Sequence, residues 1–241
     1  MTRKPTKPLA VLWDYDGTLI DTARKNIAVT VAVLRHLDPA IDDRLPAALR
    51  SYEAYQEANY RYKNWRELYR EAFGIPEEQL DIAGPLWAPE QAKNTDLPEM
   101  FPGLGMLLPT LTKVPMGICS LNDADNIRRV LAHYGVGGCF EAVIGYSDVH
   151  EHRQKPDPDS FIACVERLGL AGKKGTYLYI GDHKDDVTFG KAAGKVLGCE
   201  VICVAVDWLG LNREAVGTWP IAPEYYVENA AELNAVLNKL L

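Results

Sequence analysis

No stretch of this sequence is apolar for the roughly 20 residues that a bilayer-spanning helix requires, so a membrane-embedded helical protein is not expected. Cysteine is sparse and badly spaced for pairing. Cys119, Cys139, Cys164, Cys199 and Cys203 are odd in number and contain no Cys-x-x-Cys, so neither a disulfide framework nor a zinc site is indicated. Positive charge is in deficit: 26 Lys plus Arg stand against 33 Asp plus Glu, a formal charge of −7, which argues against nucleic acid or an anionic membrane as partner. Internal repeats and low-complexity tracts are also missing. The basic opening, Met1-Thr2-Arg3-Lys4-Pro5-Thr6-Lys7-Pro8, runs into residues 9–13 and then Asp14, too short an apolar segment for a secretory leader. The expected compartment is a reducing cytoplasm.

What is present is an ordinary globular composition, 47% apolar and 24% charged over 241 residues. Short apolar runs recur at 9–13, 114–121, 142–144, 176–180 and 201–206. Runs of this length without polar alternation read as strands covered on both faces, as in a parallel sheet. Helical patterns lie between them. Ile127, Val130, Leu131 and Tyr134 recur at i, i+3, i+4 and i+7, as do Phe161, Cys164, Val165 and Leu168, and again Leu233, Val236, Leu237 and Leu240. Strand and helix in alternation predict an α/β fold, a Rossmann-like doubly wound parallel sheet. Residues from about 22 to 95 break the rhythm. Ile27, Val31 and Leu34 share a helical face, and 51–73 is free of Gly and Pro. An inserted helical domain is expected there, with turn chemistry at Leu97-Pro98 and Phe101-Pro102-Gly103 where the chain returns.

Chemistry concentrates just past the apolar runs. In Asp14-Tyr15-Asp16-Gly17-Thr18 the two aspartates are two apart, so a continuing strand would bring them to one side at its carboxyl end. Open α/β sheets bind ligands at that end. Two close carboxylates repel each other unless a cation or a shared proton compensates. Gly17 permits a tight turn, and Thr18 supplies a hydroxyl and an N–H to an anion. A second acidic group, Gly181-Asp182-His183-Lys184-Asp185-Asp186, follows the 176–180 run, and a helix starting here would set Asp182 and Asp186 on one side. Together these carboxylates suit Mg²⁺, which prefers hard oxygen ligands. Ser120 and Asn122 end another run, and Lys155 stands in Lys155-Pro156-Asp157-Pro158. A hydroxyl, an amide and an ammonium at one sheet edge suit the oxygens of a phosphoryl group.

In order and spacing, Asp14-x-Asp16-Gly17-Thr18, Ser120, Lys155-Pro156 and Gly181-Asp182-x-x-x-Asp186 resemble the four motifs of the haloacid dehalogenase-like superfamily. The resemblance covers nearly the whole chain. Leu19-Ile20-Asp21-Thr22, Phe101-Pro102-Gly103 and Lys155-Pro156-Asp157-Pro158 are similar to the phosphoglycolate phosphatase-like branch, and the insert is similar to a C1-type cap. This divides the chain into a core of 1–21 with 97–241 and a cap of 22–96.

The resemblance implies a phosphatase acting on a small phosphorylated metabolite. It gives Asp14 the role of nucleophile, Asp16 that of general acid and base, and Ser120 and Lys155 that of stabilising the transferring group. Gly17, Thr18 and Asn122 would contact the phosphate. Mg²⁺ would be held by Asp14, the Asp16 carbonyl, Asp182 and Asp186. Dehalogenases of similar fold lack the second aspartate, because a halide leaves without a proton, so Asp16 favours the phosphatase. Monomer and homodimer are both compatible.

Departures accompany the likeness. Relatives commonly carry Ser or Thr followed at once by Asn, whereas here Leu121 intervenes between Ser120 and Asn122. His183 stands where many relatives have Ser, and Asp185 competes with Asp186 for the metal. Two other readings stay open: a phosphomutase or phosphotransferase of the same family, and a binding or regulatory protein that keeps the fold without turnover. In the cap, Tyr55, Tyr62 and Tyr69, interleaved with Arg61, Lys63, Trp65, Arg66 and Arg70, read either as a leaving-group surface or as packing, with ion pairs to Glu53, Glu57, Glu67 and Glu71. His150 and His152 flank Glu151 without a third ligand nearby and read as a solvated loop.

Overall fold

Strand β1 (Ala10–Trp13) is buried along its whole length, as its unbroken apolar run requires. In the computed structural model, which describes residues 7–62, 64–111 and 113–241, it lies inside a six-stranded sheet. Residues 1–6, Lys63 and the Glu151 side chain, all named above, lie outside the described set. The chain continues through β2 (Ile20–Asp21), α1 (Ala23–Leu37), α2 (Tyr52–Arg61), α3 (Trp65–Glu71) and α4 (Glu77–Lys93) to β3 (Glu99–Met100) and α5 (Leu104–Leu107). Then strands and helices alternate: β4 (Met116–Cys119), α6 (Ala124–His133), β5 (Ala142–Ile144), α7 (Asp159–Arg167), β6 (Thr176–Gly181), α8 (Lys184–Leu197), β7 (Glu200–Val206), β8 (Tyr225–Val227) and α9 (Ala230–Leu240).

The sheet order is β5-β4-β1-β6-β7-β8, and every pairing within it is parallel. Alternate residues of β1 feed opposite faces. Val11 and Trp13 join the core of Ile127, Val130, Leu233 and Leu237, while Ala10 and Leu12 join that of Phe161, Cys164 and Phe189. A sheet covered on both faces by helices is the doubly wound α/β architecture expected. Register does the positioning. Trp13 is paired with Ile118 on one side and Ile180 on the other, so the residues after β1, β4 and β6 emerge together at the centre of one sheet edge.

The chain divides into two compact units, one of the residues up to Ile20 with Met100–Leu241, the other Asp21–Glu99. The second unit is helical and has its own core, including Val33, Leu34, Tyr55, Leu68, Tyr69, Phe73 and Leu80. The Gly- and Pro-free stretch in it is not one helix. Asn64 caps α3 by accepting a hydrogen bond from the Glu67 amide, which separates α3 from α2. Tyr55 and Tyr69 are packed inside this unit, Arg61 pairs with Glu57, and Arg70 pairs with Glu71 and Glu77. Arg66 reaches Asp81 rather than one of the glutamates named above. Strands β2, β3 and β8 are too short, at two or three residues each, to be seen in the sequence pattern. Among the described residues, no helix is long and apolar enough to cross a membrane.

Candidate active site

The loop after β1 is folded back on itself. The Asp14 amide still donates to the Ile180 carbonyl at 2.8 Å, extending the strand pairing by one residue, but Leu19 N then donates to Tyr15 O at 3.0 Å and Gly17 N to Ile20 O at 2.9 Å. Gly17 takes φ +78°, a conformation that strains any residue with a Cβ. Tyr15 is wholly buried in the core, which leaves Asp14 and Asp16 at the sheet edge. The Trp208 indole N–H anchors this loop by donating to the Thr18 carbonyl at 2.8 Å.

Asp14, Asp182 and Asp186 form a buried cluster, with one carboxylate oxygen of each within 4.8 Å of the others. Asp182 is not on a helix with Asp186. His183 is the N-cap of α8, its Nδ1 accepting from the Asp185 amide, so Asp182 sits one residue before the cap and Asp186 in the first turn. Asp186 Oδ2 accepts from the His183 amide at 3.1 Å, which closes a capping box and fixes that carboxylate. Two glycines make room. A Cβ on Gly17 would lie 2.4 Å from Asp182 Oδ2, and one on Gly181 would lie 2.4 Å from Asp186 Cγ.

Lys155 comes from the loop between β5 and α7. Its Nζ lies 2.5 Å from Asp14 Oδ1 and 3.0 Å from Asp186 Oδ1, over the rings of Tyr179 and Phe189 at 5.2 and 5.1 Å. Burial alone would lower the lysine's pKa, but Asp14 and Asp186 outweigh it and the net shift is upward, so the ammonium stays charged. One ammonium does not balance three carboxylates. The Asp14 carboxyl is pushed well above the usual carboxylate range by burial, against the pull of Lys155 and with Asp186, Asp182 and Asp16 adding repulsion. A buried, all-oxygen donor set with excess negative charge fits a hard divalent cation such as Mg²⁺ and lacks the His or Cys that zinc prefers.

Asp16 is engaged elsewhere. Its Oδ2 accepts from Ser120 Oγ at 3.1 Å and its Oδ1 from Asn122 Nδ2 at 2.9 Å. The strand ends at Trp13, so the two-residue alternation expected for Asp14 and Asp16 gives way to a turn, and their carboxylates face different partners. The carboxylate of Asp16 is therefore not part of the metal-type cluster. The Thr18 hydroxyl is also turned inward. It is fully buried, donates to Asp182 Oδ1 at 2.9 Å and stands 3.3 Å from Asp14 Oδ2, instead of pointing outward to an anion. Of the adjacent acids at the start of α8, Asp186 joins the cluster while Asp185 lies 3.5 Å from His183 Nδ1. The His150 and His152 rings lie 5.3 Å apart, and among the described residues no other group of three or more metal-ligating side chains occurs.

Part of the support comes from residues that motif spacing does not reveal. The buried Asp207, just past β7, accepts from the Leu211 and Asn212 amides at 2.9 and 2.8 Å and from the Tyr226 hydroxyl at 2.6 Å. That loop carries Trp208 to Thr18 and Asn212 to the Asp182 carbonyl, at 3.3 Å. The one available signal was an aspartate directly after an apolar run.

Residues 8–194 match the family described as "haloacid dehalogenase-like hydrolase". Among curated proteins, the chain is 28% identical to phosphoglycolate phosphatase 1 of Pseudomonas aeruginosa, over 94% of this chain and 78% of that protein. It is 27% identical to the pyrophosphatase PpaX of Bacillus velezensis, over 93% and 94%. Among solved structures, a haloacid dehalogenase-like family hydrolase from Streptococcus pneumoniae superposes with a TM-score of 0.71 at 16% identity, covering 95% of this chain and 98% of that one.

Proposed function

We propose that this chain, which belongs to the haloacid dehalogenase-like hydrolase family, is a phosphatase that cleaves a small phosphomonoester through a phosphorylated Asp14. The observation that carries the reading is the separation of two neighbouring carboxylates. Asp14 is held by Lys155 in the buried cluster, while Asp16 sits apart on Ser120 and Asn122. Carboxylates in different surroundings suit different tasks, here nucleophile and proton carrier.

In the first step an Asp14 oxygen forms a bond to phosphorus as the ester P–O bond breaks, its electron pair passing to the leaving oxygen, which takes a proton from Asp16. In the second, water attacks the phosphorus of the acyl phosphate, gives its proton to Asp16, and returns the electron pair to Asp14. The sum is an alcohol and inorganic phosphate from an ester and water. Lys155 holds Asp14 for attack and counters negative charge on the transferring group, the electrostatic role that dominates phosphoryl transfer. Ser120, whose hydroxyl can rotate, contributes a donor to the same group. Asp14, Asp182 and Asp186 would hold Mg²⁺, which when bound offsets the repulsion between an anionic nucleophile and an anionic substrate.

The phosphoglycolate phosphatase relative makes phosphoglycolate the first ester to try, and the pyrophosphatase relative supports a second reading, hydrolysis of a pyrophosphate. Phosphate release from a panel containing both, with Mg²⁺, separates them. Loss of release in Asp14→Asn is expected, and wild-type turnover by that variant would overturn the proposal.

A further inference from the structure

Asp16 is held by an amide that cannot turn round. Asn122 Nδ2 donates to Asp16 Oδ1 at 2.9 Å, while Asn122 Oδ1 accepts from the Asp123 amide at 2.8 Å and from Asn126 Nδ2 at 3.0 Å. Reversing the Asn122 amide would set its oxygen against a carboxylate and its NH₂ against two N–H donors, so both ends dictate one orientation. The row continues outward, with Asn126 Oδ1 accepting from Arg129 Nη2 at 3.0 Å. Every donor points the same way, from a guanidinium toward a carboxylate, an arrangement in which each bond polarises the next. The helix beneath is anchored too. Asp123 caps α6, accepting from the Asp125 and Asn126 amides at 3.1 and 2.8 Å.

Leu121, exposed, stands between Ser120 and Asn122, and the two residues on either side of it both turn to Asp16. The two donors differ in kind. Asn122 is fixed at both ends, whereas Ser120 Oγ, its oxygen held by the Asn122 amide at 2.9 Å, donates to Asp16 Oδ2 at 3.1 Å through a hydrogen that can turn to another acceptor.

We propose that Asn122, oriented by Asn126 and Arg129, is a positioning residue that clamps Asp16 Oδ1 and leaves Oδ2 as the oxygen that passes the proton to the leaving group. This rests on the function proposed above. As the ester P–O bond breaks, the leaving oxygen keeps the bonding pair and takes the proton from Oδ2, while Asp14 forms the new bond to phosphorus. A carboxyl free to rotate would present that proton in only a fraction of encounters, which is the loss that positioning prevents.

The test compares kcat/KM for p-nitrophenyl phosphate, whose leaving group departs without a proton, with kcat/KM for an alkyl phosphate, whose alkoxide needs one. This parameter covers steps only through release of the alcohol, so hydrolysis of the phosphorylated enzyme does not enter. Asn122→Ala and Asn126→Ala are each expected to lower the alkyl value about tenfold more than the p-nitrophenyl value, part of the hundredfold or more that general acid catalysis supplies. Should Asn122→Ala fail to fold, Asn126→Ala, half-buried on α6, carries the comparison alone. Equal losses on both esters, or none on either, overturn the positioning role while leaving the phosphatase intact. A wild-type protein that releases phosphate from neither ester overturns the function itself.

Discussion

Gly17 and Asp182 occupy one space: a Cβ on the glycine would lie 2.4 Å from the Asp182 carboxylate oxygen. The glycine also holds φ +78°. Gly17→Ala therefore meets two penalties, about 1–2 kcal/mol of backbone strain and a displaced carboxylate. Displacement of that kind costs about a hundredfold in rate. Gly135→Ala is the control, since its φ is +69° but nothing lies within 4 Å of its added Cβ. Thermal melts should show both variants destabilised, and phosphate-release assays should show the fall of about a hundredfold in Gly17→Ala alone.

Removing Lys155 leaves three buried carboxylates with less compensation. Lys155→Met is expected to lower kcat/KM by about 10²–10³, the cost of deleting a donor aimed at developing charge. Breaking a buried pair on one side also costs about 3–5 kcal/mol of stability. Activity assays and denaturant unfolding read the two losses separately. A stable variant with undiminished kcat/KM would show that the ammonium serves packing alone.

Occupation of the carboxylate cluster is measurable without any substrate. Mg²⁺ at about 100 times its dissociation constant should stabilise the fold by about 2.7 kcal/mol, seen as a rise in melting temperature that EDTA reverses. Asp182→Asn keeps the side-chain shape and the Thr18 contact but removes one charge, and should abolish the rise. An equal rise in that variant would place the ion elsewhere.

The cysteines carry a prediction with a sign. Burial pushes the Cys203 thiol from its ordinary value near 9.0 up to about 12, so the folded state keeps it neutral where the unfolded chain ionises it. Its contribution to stability is complete below pH 9 and declines as pH rises toward 12. Cys119, Cys164 and Cys203 are buried, whereas Cys139 and Cys199 are partly exposed. Alkylation followed by mass spectrometry at pH 8 should modify Cys199 and Cys139 in the folded protein and the other three only in denaturant.

The candidate site residues readable from sequence share one trait: Asp14, Ser120 and Asp182 each stand just past a buried parallel strand, where period-two packing ends and polar side chains have no core to enter. Lys155 was visible through its Pro-flanked loop. What spacing hid came from local capping. A helix expected to carry both Asp182 and Asp186 starts only after His183, because that side chain caps α8. Asn64 divides the second unit's long helical stretch in the same way. Trp208, Asn212 and Asn126 act through side-chain hydrogen bonds from a loop and a helix's first turn, positions that look like ordinary surface in a sequence.

The central claim is that the phosphoryl group passes through Asp14, and trapping it is the most direct test. Acid quenching during turnover of a ³²P-labelled ester, followed by peptide mapping, should find the label on the peptide containing Asp14, released by hydroxylamine as an acyl phosphate is. No label should appear in Asp14→Asn. Full turnover with no labelled peptide, or label retained in Asp14→Asn, would contradict the account.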